Sequence, residues 1–232
     1  MPIRDNLERV RERIRKAAGR AGRDESEITI VGVTKTFGAE VVTAAVEAGI
    51  TDVGENRIQE FLGKAAQVTV PCRWHLVGHL QTNKVNKAVG RFALIHSVDS
   101  LRLAEKLSGA SIERKLVTDI LLEVNTSGEE SKYGLRPEET VEVSDAISPL
   151  PGVRLRGLMT VGPWVDDVAA VAKAFEGLRL LKEAVERESC DHDSLPHLSM
   201  GMTGDFEVAV AEGSTLVRLG RVLFGERGGI GT

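Results

Sequence analysis

The sequence predicts an α/β fold, a (β/α)8 TIM barrel with an extra N-terminal helix. Three observations support this prediction: strand-like and helix-like segments alternate along the chain, the strand-like segments number eight, and their connections are short. A doubly wound parallel sheet is the second candidate, although no Gly-x-Gly-x-x-Gly turn follows any predicted strand. The chain shows no internal repeat and no linker, so we expect residues 1–232 to form a single domain.

The composition is that of an ordinary soluble globular protein. Hydrophobic residues make up 42% and charged residues 28% of the 232 positions, and the net charge is −4. This charge gives no electrostatic basis for binding nucleic acid or an anionic membrane. The N-terminus is charged, no apolar run could span a membrane, and two cysteines make no disulfide framework, so we expect a cytoplasmic protein. Five histidines without paired spacing predict no metal site.

The first predicted helix is amphipathic and precedes the barrel. Its apolar side chains recur at helical spacing and are Leu7, Val10, Ile14, Ala17, Ala18 and Ala21. The helix is expected to end near Gly22. A run rich in β-branched residues follows over 28–33 and predicts the first buried strand.

The remaining strands and helices follow one another in turn. Strands are predicted over residues 51–54, 74–77, 94–96, 117–124, 153–159, 196–199 and 214–219, with 117–124 as the longest. Helices are predicted over residues 39–48, 58–65, 82–89, 101–107, from 137 onward, 168–185 and 204–211. Gly49 suits a helix C-terminus and Pro137 suits the first position of a helix.

A barrel places its functional groups at the carboxyl ends of its strands, so residues that follow the strands are the site candidates. Lys35 follows the first strand. Loss of hydration at a buried strand end would favour its neutral amine, the form that attacks carbonyl groups. The other interpretation is a lysine whose side chain reaches water from the strand end. The residue pattern leaves both interpretations open.

The loops after the seventh and eighth strands predict an anion site. Barrels often bind phosphate there; Ser199 offers a hydroxyl, and Gly201, Gly204 and Gly220 allow the backbone to approach a ligand closely. A lysine together with a phosphate site fits pyridoxal phosphate, which carries both an aldehyde and a phosphate. A lysine that reacts with a sugar phosphate, as in an aldolase, fits the same pattern.

Seven segments, in order along nearly the whole chain, resemble the pyridoxal phosphate homeostasis protein family. They are residues 33–36 (VTKT), 54–60 (GENRIQE), 74–84 (WHLVGHLQTNK), 123–134 (EVNTSGEESKYG), 157–160 (GLMT), 198–205 (LSMGMTGD) and 217–220 (VRLG). This family resembles the barrel domain of alanine racemase without that enzyme's second domain. The resemblance implies a protein that holds pyridoxal 5'-phosphate as a Schiff base, without established turnover, and that keeps pools of this cofactor in balance.

The resemblance assigns roles to particular residues. It implies that Lys35 forms the Schiff base, that Ser199 contacts the phosphate and that Asn56 lies near the cofactor. It also implies that Gly220 and the backbone of Arg221 contact the phosphate. The family often has a small or hydroxyl residue where Arg221 stands, so a side-chain hydroxyl contact is not expected here.

Arg218 has the role that bears most on activity. An arginine on a buried strand needs a partner, and the resemblance implies that this one faces the pyridine nitrogen. Because arginine keeps its proton, that nitrogen stays unprotonated and the ring is a poorer electron sink. We therefore predict a monomeric, non-catalytic cofactor binder that serves apo enzymes, with no catalytic residue assigned. The alternative is a fold-type III amino-acid racemase or decarboxylase.

Several of the polar residues quoted above also have structural interpretations. Asn56 is placed to cap the helix that follows it, Glu55 and Arg57 to form a local ion pair, and His75 to be a core histidine.

The same holds further along the chain. His79 and Gln81 are expected to line the mouth of the barrel, Lys132 to be solvated and Tyr133 to lie at the surface.

Overall fold

A computed structural model of the protein describes residues 3–188 and 194–225. Eight parallel strands close into a barrel within this part of the chain. They are β1 (Thr29–Val33), β2 (Asp52–Glu55), β3 (Arg73–Leu76), β4 (Leu94–Val98), β5 (Thr118–Glu123), β6 (Val153–Met159), β7 (His197–Ser199) and β8 (Leu216–Leu219). Each strand pairs with the next, and β8 pairs with β1. The barrel prediction is confirmed, and the doubly wound sheet is excluded because the closed barrel has no edge strand.

Helices connect the strands. They are α1 (Ile3–Arg20), α2 (Ala39–Glu47), α3 (Ile58–Ala65), α4 (Val85–Ala88), α5 (Leu101–Glu113), α6 (Thr140–Ile147), α7 (Val168–Glu188), α8 (Phe206–Ala211) and α9 (Arg221–Phe224). Two short 3-10 helices, Thr82–Lys84 and Pro137–Glu139, precede α4 and α6. The predicted helix over 82–89 is therefore split, and the sequence pattern does not predict α9.

Apolar side chains on the strands face either the barrel interior or the surrounding helices. Leu121 belongs to a small cluster inside the barrel, together with Val31, Leu94, Met159 and Leu216. Its neighbours Ile120 and Leu122 belong instead to the larger cluster between the strands and the helices. Neighbouring residues of a strand point to opposite faces. Runs of consecutive apolar residues therefore identified the strands correctly.

The extra helix α1 packs beside the seam where β1 and β8 meet. Its apolar face, which includes Val10 and Ile14, contacts the apolar residues of α8, α9 and β8. Asn6 also donates a hydrogen bond to the carbonyl oxygen of Leu223 in α9, at 2.7 Å. The predicted N-terminal helix is thus confirmed, and it packs across the junction between the first and last strands of the barrel.

One prediction of strand length was wrong. β6 has seven residues and β5 has six, so the strand predicted over 117–124 is not the longest. It is shortened at both ends, because Val117 is exposed and Val124 forms an isolated bridge with Leu135 outside the regular strand.

Candidate functional site

The turns that follow β1 and β8 lie side by side at the carboxyl edge of the barrel. In the parallel pairing of these strands, Val31 is opposite Arg218. Two residues further on, the same register brings Val33 next to Gly220, where an ideal Cβ would lie 3.4 Å from the Val33 carbonyl oxygen. The structure therefore brings the predicted lysine turn and the predicted phosphate turn together.

Lys35 lies in the turn beyond β1 and is exposed. Of the two interpretations of Lys35, its exposure supports the lysine whose side chain reaches water and not the one that loses hydration at a buried strand end. Regular strand structure ends at Val33, and burial continues only as far as Thr34. The amine is accessible from solvent at the mouth of the barrel, where it can reach a small carbonyl compound.

A buried ion pair holds the residue that precedes Lys35. Nζ of Lys64, on α3, donates to the carbonyl oxygen of Thr34 at 2.7 Å and to Oε1 of Glu55 at 2.6 Å. The Thr34 hydroxyl donates to the same Glu55 oxygen at 2.6 Å. Burial raises the pKa of Glu55, and the hydrogen bonds from Lys64 and Thr34 oppose this shift. These contacts fix the backbone immediately before the lysine.

The residue that follows Lys35 is held from the same helix. The backbone N–H of Thr36 donates to Oε2 of Glu60 at 3.0 Å. Glu60 precedes Lys64 by four residues, so the two side chains project from one face of α3. Thr36 has a φ of +68°, in the left-handed region that β-branched residues rarely adopt. We call Glu55, Glu60 and Lys64 the Lys35 clamp, because they hold the peptide groups on both sides of the lysine.

Two structural interpretations of the segment after β2 were wrong. Glu55 pairs with Lys64 and not with Arg57, whose side chain is exposed. Arg57 also occupies the N-cap position of α3, so Asn56 does not cap this helix. The half-buried Asn56 lies against Gly78, where any side chain would clash with its backbone. The position of Asn56 at the mouth is compatible with its predicted place near a ligand.

Arg218 lies inside the barrel and is only 5% exposed. Its Nη1 donates to the Ser199 carbonyl oxygen at 2.7 Å and to the Ser199 hydroxyl at 2.6 Å. Its Nη2 donates to the carbonyl oxygen of Thr160 at 2.8 Å. These neutral acceptors give the buried guanidinium the partners that the sequence analysis required.

Two acidic side chains support the charge of Arg218. Burial lowers the pKa of Arg218 to about 10, and the carboxyl groups of Glu123 and Asp205 oppose this shift. The guanidinium therefore remains charged at neutral pH. Burial also raises the pKa of Glu123 to about 7; the charge of Asp99 adds to this shift and that of Arg218 opposes it.

Ser199 points into the barrel and is fully buried. Its hydroxyl accepts the hydrogen bond from Arg218 and lies 2.8 Å from Nδ1 of His96. Ser199 is therefore next to the candidate site, but both of its contacts lie within the barrel. The predicted contact to phosphate stays a prediction.

The backbone after β8 offers N–H groups to an anion. Arg221 and Val222 begin the short α9, so their N–H groups have no acceptor within that helix. The Arg221 side chain is exposed. In the loop after β7, Gly201 has a φ of +95°, and a side chain there would overlap Ala209. This glycine is needed for packing against α8, whereas a Cβ at Gly220 would make only an ordinary contact with the Val33 carbonyl oxygen.

Aromatic and charged side chains form one wall of the mouth. The rings of His79 and Tyr133 stack with centroids 4.0 Å apart and an interplanar angle of 13°. Tyr133 is 59% exposed, which confirms its expected surface position. Nζ of Lys132 donates to Glu129 at 2.6 Å and to a backbone carbonyl at 2.8 Å. The expectation that Lys132 is solvated was therefore wrong.

Two cavities lie at opposite edges of the barrel. One of about 180 Å³ opens beside the mouth and is lined by Glu123, Lys132, Tyr133 and Thr160, among others. The larger one, of about 520 Å³, lies at the amino-terminal ends of the strands, next to α1. Barrel sites form at the carboxyl ends of strands, so the smaller cavity belongs to the candidate site.

Metal and membrane sites are not found in the described part of the chain. Among residues 3–188 and 194–225, no group of His, Cys, Asp or Glu side chains is placed to hold a metal ion. Within the same ranges, no helix is long and apolar enough to cross a membrane.

Comparisons with known proteins first define the class. The family model described as alanine racemase, N-terminal domain, matches residues 6–228. The alanine racemase of Clostridium difficile is 17% identical, with a TM-score of 0.76, over 98% of this chain and 57% of that chain. This likeness shows the fold alone, a barrel of the alanine racemase type.

Closer relatives define the family within this class. A pyridoxal phosphate homeostasis protein of Aquifex aeolicus is 44% identical over 224 residues, which are 96% of this chain and 97% of the relative. PipY of Synechococcus elongatus, solved with PLP bound, is 32% identical with a TM-score of 0.84 over 96% of this chain and all of that chain. The chain belongs to the pyridoxal phosphate homeostasis protein family. This result confirms the resemblance seen in the sequence motifs.

Proposed function

We propose that this chain binds pyridoxal 5'-phosphate covalently through Lys35 and buffers or delivers the cofactor. The pairing of β1 with β8 is the main support for the proposal. It brings the exposed lysine turn beside Gly220, which lies two residues beyond the buried Arg218. The relative PipY, solved with PLP bound, supports the choice of ligand. Delivery to apo enzymes and a monomeric state are further parts of this proposal.

The groups at the mouth fit the three reactive parts of this cofactor. The Lys35 amine suits the aldehyde, and the Arg218 guanidinium suits the ring nitrogen, to which it can only donate. The backbone N–H groups of Arg221 and Val222, which follow Gly220, suit the phosphate. The Ser199 hydroxyl is the other group predicted to contact the phosphate. When bound, the cofactor would supply an electron-accepting ring.

Within the described residues, no tyrosine is held inside the barrel to serve as a second base for amino-acid chemistry. Racemisation needs a base on each face of the substrate carbon, and Lys35 can supply one of them. Tyr133 is stacked on His79 at the surface, and Arg218 remains charged beside the predicted ring position. These features favour binding without substantial turnover.

One observation favours a second candidate function. Glu123 has a pKa raised by burial to about 7 and lines the small cavity beside the mouth. A carboxyl group with such a pKa can transfer protons at neutral pH, as a racemase or decarboxylase requires. Incorporation of solvent deuterium into L-alanine at several turnovers per second, lost in Glu123→Gln and in Lys35→Ala, would establish that function.

Borohydride reduction followed by peptide mapping tests the main proposal. We expect the pyridoxyl group on Lys35, and we expect Lys35→Ala to lose the visible absorption band while it retains weaker binding through the phosphate. Lys84→Ala, which removes a lysine just after the β3 loop, is the matched control and should keep the band. A label found on Lys84 or Lys132 would show that the lysine has been assigned wrongly.

A further inference from the structure

Four side chains connect Arg218 to the opposite edge of the barrel. The Ser199 hydroxyl accepts from Arg218 at 2.6 Å and lies 2.8 Å from Nδ1 of His96. Nε2 of His96 lies 2.9 Å from Nδ1 of His75, and Nε2 of His75 lies 2.9 Å from Oδ1 of Asp52. The four links therefore cross the barrel interior without a break.

The chain of contacts is shielded from water along its length. Ser199 and His96 are fully buried, and His75 and Asp52 are 4% and 2% exposed. At its far end Asp52 also accepts a hydrogen bond from Arg73 and lines the large cavity next to α1. Buried polar groups without partners cost stability, so each of these groups depends on its neighbour in the chain.

The two ends determine the direction of every hydrogen bond. The Asp52 carboxylate can only accept, so Nε2 of His75 carries a proton and, in a neutral ring, its Nδ1 accepts. Nε2 of His96 must then donate to His75, which leaves its Nδ1 to accept from the Ser199 hydroxyl. Ser199 in turn accepts from Arg218, which can only donate. All four bonds thus run one way, from Arg218 to Asp52.

The electrostatics agree with this direction. Burial lowers the pKa of His96 well below its usual value, so the ring is neutral at neutral pH. Burial alone would raise the pKa of Asp52, but hydrogen bonds from His75, Arg73 and Thr51 bring it down to about 2. Asp52 is therefore ionised, and its negative charge polarises the chain that ends on Arg218.

We propose that Asp52, His75, His96 and Ser199 are positioning residues, a one-way relay that holds the Arg218 guanidinium in place for the ring nitrogen of the bound cofactor. The role at the ring nitrogen rests on the proposed function. The relay itself is a property of the chain without cofactor. It explains why the inner face of β2, β3 and β4 carries Asp52, His75 and His96 where a barrel core normally places apolar residues.

The first test is the protonation pattern of the cofactor-free protein, measured by nitrogen-15 NMR of the imidazole rings. The relay requires His75 and His96 both to be neutral with the proton on Nε2. A proton on Nδ1 of His96, or a doubly protonated His75, would reverse the bond to Ser199 and overturn the relay. Because no variant is needed, folding of a mutant cannot obscure this result.

The second test breaks the relay and reads out Arg218. His96→Leu should let the guanidinium rotate, so that its separate Nη signals merge, and should weaken pyridoxal phosphate binding about tenfold, the equivalent of one hydrogen bond. His197→Leu is the matched control, since His197 lies on β7 and makes no side-chain hydrogen bond to the described residues. This variant should leave both readouts unchanged.

Asp52→Asn keeps the order of the hydrogen bonds but removes the negative charge of Asp52. It is also the test variant to use if His96→Leu does not fold. The amide oxygen still accepts from His75, so the protonation pattern should persist while binding weakens less than in His96→Leu. Unchanged Arg218 signals and unchanged binding in both variants would overturn the positioning role. If the native protein shows the expected protonation pattern but no cofactor binding, the proposed function fails and the relay stands.

Discussion

Lys35 and Arg218, the two sides of the candidate site, are held in opposite ways. Lys35 is exposed, and the clamp contacts the residues before and after it, Thr34 and Thr36. Arg218 is buried, and its own guanidinium makes three hydrogen bonds inside the barrel. Under the proposed function, the group that reacts is left free on a fixed frame, whereas the group that faces the ring nitrogen is hydrogen-bonded directly. Variants on both sides of the site test this division.

The largest effect is expected on breaking the clamp. Lys64→Ala leaves the fully buried Glu55 without its counter-ion, and Oε2 of Glu55 already has no hydrogen-bond partner among the described residues. Loss of one member of a buried pair costs roughly 3–5 kcal/mol of the free energy of unfolding. Lys16→Ala, which removes an exposed pair with Glu12, is the control and should cost less than about 1 kcal/mol. Equal losses in urea denaturation of the two variants would contradict a clamp.

The second largest effect is expected from the titration of Glu123, a carboxyl group whose charge acts on Arg218. The pKa of Glu123 is raised from 4.5 to about 7 in the folded state, so the folded protein binds this proton more tightly than the unfolded chain. The contribution of Glu123 to stability is complete below pH 4.5 and is lost as the pH rises through 7. This loss amounts to roughly 3 kcal/mol.

Glu123→Gln should abolish that part of the pH dependence. Glu130→Gln, which makes the same charge change at an exposed position in the loop after β5, should retain it. The measurement is the free energy of unfolding at several pH values between 4.5 and 8. Parallel curves for the two variants would mean that the carboxyl group titrates normally.

The third prediction separates the two contacts proposed for Ser199. Ser199→Ala should weaken pyridoxal phosphate binding by roughly 1.5–3 kcal/mol. If the hydroxyl acts by holding Arg218, the variant also binds pyridoxal, which has no phosphate, more weakly. If the hydroxyl acts by contacting the phosphate, pyridoxal binding is unchanged. Ser144→Ala is the control, because Ser144 is equally buried and its hydroxyl makes no hydrogen bond to the described residues.

The smallest effect is expected at the strained residue of the clamp. Thr36→Gly should raise the free energy of unfolding by about 0.5–1 kcal/mol, since glycine adopts a positive φ without strain. Lys115→Gly should give a similar gain, because Lys115 also has a positive φ, of +57°. Attachment of the cofactor to Lys35 should slow only in Thr36→Gly. A slower reaction in both variants would show that the turn has no special role.

The fold could be predicted from the sequence because alternation of elements is a local pattern. The strand predicted over 153–159 matches β6 to the residue. The position of Lys35, Arg218 and Gly220 at the carboxyl edge of the barrel could also be predicted, since each lies at or near the end of a strand. The closure of β8 on β1 then brings them together.

The clamp and the relay could not be predicted, for two different reasons. Glu60 and Lys64 have the spacing of an ordinary pair on a helix surface, so nothing in the pattern shows that they turn inward. The contact between His75 and His96 depends on how β3 is placed against β4. The exposure of Lys35 could not be decided between its two interpretations, because the pattern does not show that β1 ends at Val33.

The seam between the first and last strands has a consequence for synthesis. The Lys35 turn leaves the ribosome before the other strands are made, and Arg218 and Gly220 emerge only with the last of the eight strands. Under the proposed function, a nascent chain that lacks the last strand has the amine but no partner for the ring nitrogen or the phosphate. Ligand binding then stabilises only the closed barrel, so cofactor capture would report that the barrel has closed.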